Sequence, residues 1–176
     1  GLGFAPDTWD SLVRAMKALG YSEQELFDGG LVRHGRSGGV YDTFRNRLMF
    51  PVIDVRGNVI GFSGRILGDG EPKYMNSPET IVFSKSHNLF ALNLAKKSKC
   101  GYIILAEGNI DVPSLHQAGF DSAVASLGTS LTPEQARLLS RYTGEIVIAY
   151  DNDGAGQKAS QRAIGILEKL EVRVRV

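Results

Sequence analysis

Cysteine is almost absent: Cys100 stands alone among 176 residues, so the chain can hold no disulfide framework of its own. The three histidines, His34, His87 and His116, have no cysteine or second histidine at metal-ligand spacing, which leaves no structural zinc site in this segment. No run approaches the roughly 18 uninterrupted apolar residues of a membrane span, and no charged-then-apolar leader opens the chain. A cytoplasmic protein without membrane contact is expected. Neither sign of charge dominates: twenty basic and nineteen acidic residues leave a formal +1. There is no global electrostatic pull toward nucleic acid, and phosphate binding has to come from local clustering. The start, Gly1-Leu2-Gly3-Phe4, has no initiator Met, and Val172 to Val176 ends in a strand-like alternation, so both ends are expected to be cuts through a longer protein.

What is abundant is glycine, 21 residues against the roughly 7% of an average chain. The excess lies where strand-like runs turn into loops or helices. With 43% hydrophobic residues the chain can bury one core, or one core and a satellite layer. Apolar residues at helical spacing (Trp9, Leu12, Val13, Met16, Leu19) predict a helix over 7–19 that stops at Gly20. Ser22-Glu23-Gln24-Glu25 has the form of a capping box that starts a second helix. The period then changes: 47–55 and 58–67 are β-rich runs around Arg56-Gly57, a hairpin, and 68–90 breaks into loops.

From about Asn93 the pattern is regular. Strands are predicted at 102–106, 123–125, 145–150 and 172–176, and helices at 111–117, 132–141 (capped by Thr132, with Pro133 first) and 156–170. Alternating buried strands and helices with short connections imply an α/β fold, a largely parallel sheet with helices on both faces, preceded by a mixed α+β part. The expected division is 1–92 and 93–176.

Ligands of such sheets lie beyond the carboxyl ends of the strands. One strand runs directly into Glu107-Gly108 and another into Asp151-Asn152-Asp153-Gly154, so three carboxylates can emerge at one edge. Gly108 and Gly154 remove side chains there, leaving room for a polyphosphate or a metal. Like charges held together repel one another, and a hard divalent cation resolves the conflict. Acids at strand ends are also ordinary loop residues; two such ends in register weigh against that alternative.

These residues carry a resemblance. Glu107-Gly108-Asn109-Ile110-Asp111 and Tyr150-Asp151-Asn152-Asp153-Gly154 resemble the two signature motifs of the Toprim domain, shared by bacterial primases, topoisomerases and some nucleases. Upstream, Phe44 to Pro51, Gly61 to Arg65 and Pro72 to Thr80 resemble segments of bacterial DnaG-type primases, and the Pro72-Lys73-Tyr74 segment separates primases from other Toprim proteins. The resemblance covers nearly the whole chain. It implies primer synthesis: magnesium-dependent transfer of NTPs (manganese as a substitute) to an RNA primer on a single-stranded DNA template. It assigns Glu107 general acid or base work and metal binding, Asp151 and Asp153 metal binding, and Asp111 a supporting place. Asn109-Ile110 departs from the family's usual Tyr-Met, and its third acidic motif is expected beyond residue 176, which puts activity of this segment alone in doubt. A zinc-binding module and a domain that binds the replicative helicase are likewise expected outside this chain.

Arg45, Arg47, Arg65, Lys73 and Lys85 are interleaved with Tyr41, Phe44, Phe50, Phe62, Tyr74 and Phe83, a pattern that suits single-stranded nucleic acid. Most of those aromatics sit in strand runs and read as core. Lys73, Tyr74 and Asn76, between Pro72 and Pro78, are the better template or NTP contacts, and the resemblance sets them beside the metal site. His116 reads as a helix-face residue, and Thr129-Ser130 as a helix start or a phosphate contact. Three other functions remain open: a Toprim nuclease or topoisomerase domain, a haloacid-dehalogenase-like phosphatase built on Asp151, and a non-catalytic fragment that holds single-stranded DNA.

Overall fold

The computed structural model describes every residue except Ser37 and Thr129. The chain forms two compact units, residues 1–52 with 60–84, and residues 53–59 with 85–176.

In the first unit a four-stranded sheet has the order β1-β4-β5-β6, with β1 at Gly3–Ala5, β4 at Arg47–Ile53, β5 at Val59–Ile66 and β6 at Tyr74–Asn76. Helices α1 (Ser11–Ala18) and α2 (Glu23–Asp28) and the ribbon β2 (Val32–His34) with β3 (Val40–Asp42) complete it. The capping box at Ser22 and Glu25 forms as the sequence predicts. The first helix is shorter than predicted because its start is set from a distance. Asp42, in β3, accepts the N–H groups of Leu12 at 2.8 Å and Val13 at 3.0 Å and the Ser11 hydroxyl at 3.2 Å. Those donors would otherwise be orphans of the first turn. Trp9 therefore stands before the helix, 68% exposed, and not in its buried stripe. Val13, Leu26 and Val32 make the small core of this corner.

The predicted hairpin forms, with Asp54 at its turn accepting the N–H groups of Arg56 and Asn58 at 2.9 and 2.8 Å. Its tip, residues 53–59, belongs to the second unit. The stretch read as loop after Gly68 also contains β6, paired antiparallel to β5 through Ser63↔Asn76, Gly64↔Met75 and Arg65↔Tyr74.

In the second unit β7 (Ile103–Ala106), β8 (Ala123–Ala125), β9 (Glu145–Ala149) and β10 (Arg173–Arg175) form a parallel sheet of order β10-β9-β7-β8. Strand alternation sends neighbouring residues of β7 to opposite faces. Ile103 and Leu105 pack in one cluster with Leu92 and Ala95 of α3 (Leu92–Ala95), Ala136 and Leu139 of α5 (Pro133–Leu139), and Ala163 and Leu167 of α6 (Gly154–Leu167). On the other side α4 (Asp111–Gln117) packs against β8, where the Ala123 carbonyl accepts the His116 Nε2 proton at 2.9 Å. His116 is thus a helix-face residue with a structural bond. Burying each fully enclosed aliphatic side chain, such as Leu105 or Leu139, contributes about 1.5–3 kcal/mol. No helix among the described residues is long and apolar enough to cross a membrane.

Candidate active site

The site follows from strand register. Ala106 of β7 lies opposite Ala149 of β9, so the residues that follow, Glu107 and Tyr150-Asp151, leave the sheet at the same edge. The Asp151 N–H donates to Glu107 Oε2 at 3.0 Å, a bond between residues that are 44 apart in sequence. Asp111, the first residue of α4, turns back to accept the Gly108 N–H on Oδ2 at 2.9 Å, which fixes the turn that carries Glu107.

Asp153 has a task the sequence reading missed. It is the N-cap of α6, and its Oδ1 accepts the N–H groups of Ala155 at 2.9 Å and Gly156 at 2.7 Å. The helix begins at Gly154 and not at Gly156 because this cap starts it earlier. The signal was present, since Asp is among the strongest N-cap residues. Asp153 Oδ2 is left outside the cap. Among the described residues, no three His, Cys, Asp or Glu side chains gather closely enough to hold a metal ion by themselves.

Beside Glu107 lies a cavity of about 300 Å³ lined also by Ser126, Gly128, Ser130, Tyr150 and Ala159. Burial, and secondly the negative charge of Glu107, push the Tyr150 hydroxyl up to about 12. Ser130 accepts a hydrogen bond from Arg162 Nη2 at 3.2 Å. Its neighbour Thr129, expected to share a helix start or phosphate contact with it, lies outside the described residues.

The basic set divides between the units. In the first, Arg47 is only 4% exposed and donates to the carbonyls of Pro72 at 2.8 Å, Gly64 at 3.3 Å and Lys73 at 3.4 Å. Burial, then the charge of Arg45, hold this guanidinium below its ordinary pKa. It fixes the backbone that presents Lys73 and Tyr74, both exposed. Arg45 is half-buried, donates to the Asp42 carbonyl, and lies 4.4 Å over the Trp9 ring and 5.1 Å over the Tyr41 ring. Trp9, assigned from sequence to a helix stripe, is therefore part of a cation and ring cluster in which it alone is exposed. Of the aromatics read as core, Phe44, Phe50 and Phe83 are buried, whereas Phe62, expected with Phe50 above all, is half-buried.

Arg65 and Tyr74 are register partners, as are Ser63 and Asn76, so all four side chains share one face of β5 and β6. The Arg65 guanidinium lies 5.9 Å over the Tyr74 ring. Among the described residues, Arg65 Nε and Asn76 Oδ1 are buried without a hydrogen-bond partner. Each such atom costs about 1–3 kcal/mol unless something satisfies it. In the second unit Lys85 is half-buried, and its carbonyl accepts Gln135 Nε2 at 2.8 Å.

Acidic groups from two adjacent parallel strands, tied together at the carboxyl edge, define a Toprim-like domain. A family model described as Toprim-like matches residues 104–176, and one described as DNA primase catalytic core, N-terminal domain, matches residues 1–96. The chain belongs to the family of DnaG-type DNA primases. It is 50% identical over 177 residues to the DNA primase of Clostridium acetobutylicum, covering 100% of this chain and 30% of that protein. A crystal structure of the Aquifex aeolicus primase, zinc-binding and RNA polymerase domains, aligns with TM-score 0.90 and 40% identity over 98% of this chain and 43% of that one. A DnaG primase catalytic domain bound to single-stranded DNA aligns with TM-score 0.83 and 42% identity, over 93% of this chain and 51% of that one. The chain thus spans about three tenths of the curated relative and about half of the solved chains.

Proposed function

We propose that this chain, as part of a longer protein, makes RNA primers on single-stranded DNA by magnesium-dependent nucleotidyl transfer, with residues 1–92 as its amino-terminal subdomain and 93–176 as its Toprim subdomain. The observation that carries this reading is the 3.0 Å bond from the Asp151 N–H to Glu107 Oε2, which joins the acidic ends of β9 and β7. The donor set fits a hard divalent cation. It offers carboxylate oxygens only, on the exposed residues Glu107, Asp151 and Asp153, and Asp153 uses just one oxygen for its cap. Magnesium, or manganese in its place, would be held by these three residues and would supply positive charge against the triphosphate and the departing pyrophosphate. Few protein donors are the rule for magnesium, which takes waters and substrate phosphates for the remainder.

The chain's own groups bind and orient. Glu107 keeps Oε1 outside its bond to Asp151 and would help take the proton of the primer 3′-hydroxyl as the hydroxyl oxygen bonds to the α-phosphorus and the bond to pyrophosphate breaks. Lys73 brings a point charge to phosphate, while Arg65, Tyr74 and Asn76 receive nucleotide or template on one sheet face, satisfying the two orphaned atoms there. The exposed Trp9 ring, with the half-buried Arg45 and Tyr41 behind it, adds a stacking surface for single-stranded DNA, and Lys85 a further cation. Catalysis is then mainly positioning and charge stabilisation. The replicative helicase would be met through a domain outside residues 1–176.

The test is NTP incorporation on a single-stranded template by the full-length protein, with and without magnesium, for the wild type and Asp151→Asn. Magnesium-dependent primers from the wild type and none from a folded Asp151→Asn are expected. Primers made equally well by both would sink the assignment.

A further inference from the structure

We infer that Gly156, in the first turn of α6, is a positioning residue for the acidic site, acting through the backbone of Asp151 and the carboxylate of Asp153. The inference rests on the proposed metal site. Glycine is a poor helix former, and Gly156 does not occupy the left-handed region that would call for it on conformational grounds. Space calls for it. A Cβ at this position would lie 2.0 Å from the Asp151 carbonyl oxygen, 3.0 Å from its carbonyl carbon and 3.3 Å from its nitrogen. All three are backbone atoms, so no side chain can swing aside to make room.

Two further bonds give this contact its reach. The Gly156 N–H donates to Asp153 Oδ1 at 2.7 Å, and the Asp151 N–H donates to Glu107 Oε2 at 3.0 Å. One residue without a side chain therefore sets the path of the Asp151 backbone, holds the Asp153 carboxylate by its amide, and through the Asp151 amide orients Glu107. An alanine methyl would have to displace Asp151, and the bond to Glu107 would go with it. Gly165, in the same helix, is a matched control, because a Cβ there meets nothing within 4 Å.

Manganese binding to the full-length protein, followed by electron paramagnetic resonance with Asp151→Asn as the background, separates the possibilities. Gly156→Ala should bind manganese about tenfold or more weakly while keeping its helical circular dichroism, as expected when a residue supporting a metal ligand is removed. Gly165→Ala should bind like the wild type. As a measurement independent of the folding of Gly156→Ala, magnesium is also titrated into the wild-type protein while backbone amides are followed by NMR. The Asp151 and Gly156 signals should move together and Gly165 should stay. Wild-type manganese affinity in Gly156→Ala, or a Gly156 amide indifferent to magnesium while Asp151 responds, overturns the inference. No site-specific binding by the wild type overturns the metal reading itself, and is recognised before any variant is compared.

Discussion

Asp153 holds a helix and is assigned to a metal, and the two tasks can be separated. Asparagine caps helices about as well as aspartate, so Asp153→Asn should leave the thermal midpoint nearly unchanged yet abolish primer synthesis. Asp153→Ala should lose the cap as well, at about 1 kcal/mol of stability. Equal losses of stability in the two variants would show that charge, not capping, is what α6 needs. Tyr150 offers a second test at this scale. Its hydroxyl titrates near 12 in the folded protein against an ordinary value of 10.0. Being raised, it contributes stability that is complete below pH 10 and is lost as pH rises toward 12. Alkaline unfolding should therefore begin later in Tyr150→Phe, and absorbance at the tyrosinate band should show one ring titrating late in the wild type. An unchanged alkaline limb in the variant would remove Tyr150 from that account.

At the scale of elements, β5 and β6 with Arg47 form one device. Arg47→Met removes a buried guanidinium's bonds to the carbonyls of Gly64, Pro72 and Lys73, the last of which keeps the Ile66 N–H, and a loss of about 1.5–3 kcal/mol in chemical denaturation is expected. Lys73→Ala should do the reverse, keeping stability while weakening template binding and reducing its salt dependence by a slope of about 0.7 for a single strand. An unchanged slope would make Lys73 a bystander. The elements also show what a sequence can display. The strands Ile103–Ala106 and Ala123–Ala125 and the helix Asp111–Gln117 were legible because apolar runs and helical spacing are local signals. Strands β1, β2, β3 and β6 were not, since each is three residues of mixed exposure without the continuous apolar run that marks the equally short Ala123–Ala125. The start of α1 was hidden for another reason, its cap being a carboxylate 30 residues away. Of the site, the acidic motifs and the Lys73 segment were visible. The burial of Arg47 and the exposure of Trp9 were not, because both depend on which strands come together.

At the scale of the whole molecule, the second unit is not contiguous. Val55, in the hairpin tip, packs against its core, and Lys96 Nζ donates to the Val55 carbonyl. A fragment beginning at residue 85 would lack that cover. It should melt at lower temperature than a fragment in which residues 53–59 are joined on by a flexible linker, and it should bind a hydrophobic dye more strongly. Identical melting of the two fragments would show the tip to be dispensable.

The chain passes from one unit to the other after residue 52, after residue 59 and after residue 84. No single cut in the polypeptide can release both units whole, and the same holds for the gene. A lone recombination event that exchanged either unit for a foreign counterpart would always carry away a piece of the other, or leave a stranger's hairpin tip against its core. The two units are thus bound to be inherited together, and sequence drift around Val55 in one should be answered by drift in the residues it covers.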